Sequence, residues 1–169
     1  MRPLIFLLCS LPALAAPVDR ILGAREHVIT AEEIKSLGDH VDRTLINAAS
    51  DARASRWRRA RARIALQFAP SEESLAFLRA VISEKKQASQ GAEVLELAAA
   101  LTSLAPYGRE ALPELLPLAT HPSADVRHAV VQALGNIAEP EAESALRARL
   151  YVERDPGVRD AAARALRKR

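Results

Sequence analysis

SADVRHAVVQALG, residues Ser123 to Gly135, is nearly repeated thirty-two residues later as DPGVRDAAARAL, Asp155 to Leu166. Val126-Arg127 returns as Val158-Arg159, Ala129 as Ala161, and Ala133-Leu134 as Ala165-Leu166. An earlier copy is weaker but keeps the register: Val94, Leu97, Ala98, Leu101 and Ala105 precede Val126, Ala129, Val130, Ala133 and Ile137 by the same thirty-two residues. Apolar residues at i, i+3, i+4 and i+7 within each copy specify an amphipathic helix. Recurrence of the whole unit at this period specifies a stacked helical repeat, in which neighbours share a core that no single hairpin could bury.

Outward from that stretch the chain punctuates itself regularly. Thr30-Ala31-Glu32-Glu33 matches a capping box, and behind it Ile34, Leu37, Val41 and Leu45 predict one helix, with Gly38 tolerated at a cost of about 1 kcal/mol. A second helix is predicted from Ala52 to Phe68, ended by Pro70, and a third opens at Ser71. Pro106-Tyr107-Gly108 turns the chain into a fifth helix that Pro117 should shorten. Glu139-Pro140 starts a seventh. Asp155-Pro156, an N-cap followed by proline at the first helical position, starts an eighth. Eight helices pair into about four hairpins spanning residues 30–169. The expected fold class is therefore all-α, an α-solenoid. Residues 16–29 show no clean period and read as an extended lead-in.

These repeats resemble HEAT repeats, particularly the short kind found in bilin-lyase-like proteins. The segment Ala133 to Ala142, in which a second helix ends and Gly and Pro turn the chain into the next, also looks like the family's inter-repeat link. The resemblance implies that Asp125 and Arg127 belong to a ladder of charged residues between repeats. Leu95 stands where the earlier copy should have arginine and Gly157 where the later one should have aspartate, so the ladder is incomplete. Val126, Arg127, Ala129, Leu134, Val158, Arg159, Ala161 and Leu166 are accordingly expected to be structural.

The first residues read as a processing signal. Arg2 precedes an apolar run from Leu4 to Leu11, and Ala13-Leu14-Ala15 supplies a small-x-small cleavage pattern. The run is too short to span a bilayer. The expectation is a signal peptide over 1–15, cleaved after Ala15 or after Ala16, and a secreted or periplasmic bacterial protein. A retained apolar helix is the alternative. Cys9 is the sole cysteine and would leave with the signal, so no disulfide or thiol chemistry is expected of the mature chain.

Charge is unevenly placed, with ten Lys/Arg against seven Asp/Glu over residues 17–68. Arg53, Arg56, Arg59 and Arg63 read as a stripe beside Trp57, the candidate binding surface of the molecule; arginines solvated or paired with Asp42 or Asp51, over a core Trp57, are the competing reading. No nucleophile motif, Gly-rich phosphate loop or Cys/His pair occurs. The family's iron enzyme, deoxyhypusine hydroxylase, uses His-Glu dipeptides, which are absent. His27, His40, His121 and His128 lack metal spacing. No metal, cofactor or catalytic residue is expected, nor a nucleic-acid partner. The expected function is an exported, non-catalytic scaffold that binds another protein or envelope component. Two alternatives stand: a polyanion or membrane-surface binder acting through residues 53–63, and a small lyase-like enzyme.

Overall fold

A computed structural model describes residues 17–24 and 26–169; the expected signal peptide and Cys9 lie outside them. The helices are α1 (Pro17–Gly23), α2 (Ala31–Lys35), α3 (Val41–Ser50), α4 (Arg56–Ala65), α5 (Glu72–Lys85), α6 (Ala92–Thr102), α7 (Leu112–Leu118), α8 (Ala124–Gly135), α9 (Pro140–Val152) and α10 (Pro156–Arg167). Short 3-10 turns follow α4 and α6. No strand occurs among the described residues.

Four hairpins, α3–α4, α5–α6, α7–α8 and α9–α10, stack in chain order, and the second helices α4, α6, α8 and α10 pack successively side by side. The thirty-two-residue echo is the inside of that stack: Val94, Val126 and Val158 are buried at equivalent places, as are Leu97, Ala129 and Ala161, and Leu101, Ala133 and Ala165. One continuous core results. Small residues let the last helices approach closely. A Cβ built on Gly135 would stand 2.8 Å from that of Ala165, so glycine is what allows α8 and α10 to touch there.

The caps act as their sequences require. Thr30 and Glu33 form the reciprocal box, and the Asp155 carboxylate accepts from the Val158 amide at 3.0 Å. Ser123 sits at the start of α8 with extended backbone but without a side-chain cap bond.

The N-terminal third departs from expectation. The helix predicted from Thr30 onward is broken into α2 and α3, because Gly38 (φ 88°) and His40 (φ 56°) take left-handed conformations no helix continues through. The second helix begins at Arg56 behind Ser55, not at Ala52. The lead-in is not extended throughout: α1 is helical and buries Leu22, while Ile29 is buried further on. Seven residues are too few to display a helical period, so α1 left no signature in the sequence.

Candidate functional site

The arginines in α4 and just before it are turned to unequal uses. Arg53 is exposed and lies 3.8 Å from Asp51, and Arg56 is exposed without an ion pair among the described residues. Arg59 and Arg63 instead face Glu96 on α6, at 3.6 and 3.5 Å, and Lys85 approaches the same carboxylate at 3.6 Å. The Arg63 side chain is 7% exposed and that of Glu96 13%. Arg61 is buried and donates to the Ile21 and His27 carbonyls at 3.0 and 2.9 Å, holding the α1 segment. Burial lowers the pKa of both Arg61 and Arg63 from the ordinary guanidinium value, with nearby carboxylates opposing the shift.

The expected stripe is thus corrected. Arg59 and Arg63 do not share an exposed surface with Arg53 and Arg56, because Glu96 draws them into the seam between the first two hairpins. Their apolar stems cover neighbouring surface while the heads find internal partners. Trp57 is not core either. It is 50% exposed, with the Arg61 guanidinium 5.6 Å from its ring centroid.

Trp57 opens onto a groove of about 590 Å³ across α4, α6 and α8, whose walls include Arg56, Ile64, Leu95, Asp125 and His128. Helical spacing places these side chains opposite the buried positions of the same helices. Leu95 is 60% exposed, a large apolar side chain presented to solvent where the later repeats carry arginine. In the sequence that signal shows only as a gap in the ladder. Among the described residues no group of three His, Cys, Asp or Glu side chains could hold a metal ion. The lining offers apolar contact with a few charged or titratable groups, an arrangement suited to recognition.

The inter-repeat ladder takes a different form from the one the resemblance implies. Arg127 forks onto Glu153, with Nε and Nη2 each 2.9 Å from a carboxylate oxygen. Arg149 reaches Glu153 at 3.0 Å, and the carboxylate also accepts from the Arg154 and Asp155 amides. Asp125 is exposed in the groove wall. Arg159 is exposed and makes no ion pair among the described residues.

Comparison with curated proteins and with solved structures returns no match. Comparison with protein families matches residues 86–167 to the model for HEAT repeats, which are generally protein-interaction scaffolds and typically non-catalytic. The matched segment contains α6 to α10, the part in which the thirty-two-residue echo is strongest. Over those residues this chain is similar to HEAT repeats.

Proposed function

We propose that the chain is an exported, non-catalytic scaffold that holds another protein or an envelope component in the groove of its second helices. The observation that carries this reading is the pair of exposed apolar side chains, Trp57 and Leu95, facing one groove. Large apolar groups in a shared recess, rimmed by polar ones, are the usual anchors of an interface. The arginine helix supports polyanion or membrane-surface binding less well, since Arg59, Arg61 and Arg63 are held by internal partners.

A photo-cross-linking residue placed at position 95 identifies the partner. Leu95→Asp and Trp57→Ala should each weaken that complex at least tenfold, while Arg53→Glu leaves it unchanged. A complex insensitive to both groove substitutions would rule out the groove. Export rests on the sequence of residues 1–15. Deleting them should trap the chain in the cytoplasm, and an unchanged distribution between cell fractions would remove that part of the reading.

A further inference from the structure

The apolar groove continues into a second compartment of different chemistry. Thr102 and Gln132 line both the groove and an adjoining trough of about 290 Å³, where Gln67, Asn136, Arg164 and Lys168 join them. Arg164 and Lys168 are both exposed and make no ion pair among the described residues. They stand four residues apart, Arg164 on α10 and Lys168 at its C-cap, a spacing at which like charges repel on a helix face. Glu143, which shares a recess with Lys168, is engaged by Arg147, and Asp160, one turn before Arg164, lies beyond salt-bridge distance. Glu96 is engaged by Arg59, Arg63 and Lys85, so the charges left facing the two compartments are Arg56, Arg164 and Lys168 against Asp125 alone.

The neutral lining of the trough matters as much. The Gln67 and Asn136 amides each donate once to a backbone carbonyl of their own chain, which leaves their carbonyl oxygens and second N–H groups free. The Gln132 amide makes no bond within the protein among the described residues. Primary amides match peptide groups donor for acceptor. An apolar pocket, a run of amides and a pair of cations without a salt bridge therefore follow one another along a single channel. Leu95 is on α6 and Arg164 on α10, with α8 packed between them, so two helix spacings put the apolar compartment about 20 Å from the cations. An extended peptide rises about 3.3 Å per residue and covers that distance in roughly six residues.

We infer that the occupant of the groove is an extended peptide segment carrying an apolar side chain and, about six residues away, a carboxylate. The apolar side chain lies against Trp57 and Leu95, the peptide groups meet the amides, and the carboxylate sits between Arg164 and Lys168. This rests on the protein-binding reading above and specifies its partner by chemistry.

Trp57 is the single tryptophan of the chain, so its fluorescence reports on the apolar compartment. The probes are end-blocked octapeptides with leucine and glutamate six positions apart in a Gly/Ser background, and the same peptides with glutamine for glutamate. The glutamate peptide should bind at least tenfold tighter than its glutamine counterpart at low salt. In the Arg164→Gln, Lys168→Gln variant, checked by its melting curve, that preference should fall below twofold while Trp57 still responds. Equal binding of the two peptides, or a preference that survives in the variant, overturns the inference and leaves groove binding standing. If neither peptide moves Trp57 emission while inorganic polyphosphate perturbs the Arg164 and Lys168 resonances, both the inference and the peptide-binding reading fail.

Discussion

Arg127 on α8 and Glu153 on the turn after α9 form a forked ion pair between successive hairpins, both contacts 2.9 Å long. Glu153 is the more committed partner: its side chain is 1% exposed, and Arg149 and two backbone amides complete its surroundings. Hydrogen bonding from Arg127, against the opposing effect of burial, brings its pKa from 4.5 down to about 2. A carboxylate with a depressed folded-state pKa lends stability above its unfolded value and loses it as pH falls through the folded one. The pair should therefore contribute about 3 kcal/mol at pH 7, declining between about pH 4.5 and 2. Glu153→Gln should lower stability by about that amount at pH 7, leaving Arg127 and Arg149 uncompensated. Urea denaturation of the two proteins across this pH range should show the gap close as acid is added; a constant gap would mean that the pair is not what Glu153 supplies.

Glu96 organises the other charged seam, and here the two sides of the pair should behave differently. Arg63 is buried with Nε and Nη1 unpartnered, and its contact with Glu96 is long at 3.5 Å. Replacing such a guanidinium by an apolar chain of similar length removes a desolvation cost along with an imperfect pair. Arg63→Met should be within about 1 kcal/mol of wild type or more stable. Glu96→Gln should cost about 2–4 kcal/mol, because Arg59, Arg63 and Lys85 then face one another without a counter-charge. Thermal melts of both variants check the asymmetry, and equal losses would contradict it.

Gly135 offers a case in which local propensity and packing disagree. On propensity alone, Gly135→Ala should stabilise the end of α8 by about 1 kcal/mol. The new Cβ would meet Ala165 at 2.8 Å, and separating two packed helices costs about 1–3 kcal/mol. A net loss is expected. Ala165→Gly should be less damaging in the Gly135→Ala background than in wild type, a coupling of about 1 kcal/mol or more in a double-mutant cycle. Additive effects would show that α8 and α10 do not touch at this point.

What the sequence disclosed follows from how each feature is encoded. The inward faces of α6, α8 and α10 were legible because burial repeats there at one period, and the Asp155 and Thr30 caps because their chemistry is local. The Arg127–Glu153 pair was not, since Glu153 sits in a turn where acidic residues are usually solvated. Nothing in a linear reading says that an arginine twenty-six residues earlier reaches it. The arginine helix misled for a related reason. Spacing reveals which side chains share a face, but whether that face meets solvent or Glu96 is decided by a helix thirty residues away. The groove is half legible: Trp57 stands out beside the arginines, while Leu95 shows in the sequence only as a departure from the repeat.

Leucine to aspartate at two positions separates the inside of the stack from its groove. Leu134 is fully buried on α8, beside the small residues through which α8 packs on its neighbours. An unpaired carboxylate there costs far more than the few kcal/mol by which a domain of this size is stable, so Leu134→Asp should abolish the cooperative melt. Leu95 lies on α6 with most of its surface in solvent. Aspartate at that position gives up only a partly exposed contact, and Leu95→Asp should melt cooperatively within a few degrees of wild type. Circular dichroism melts of the pair test the register directly. A folded Leu134→Asp protein would place the thirty-two-residue echo on the outside of the stack. An unfolded Leu95→Asp protein would make the groove wall part of the core and remove the surface on which binding is proposed.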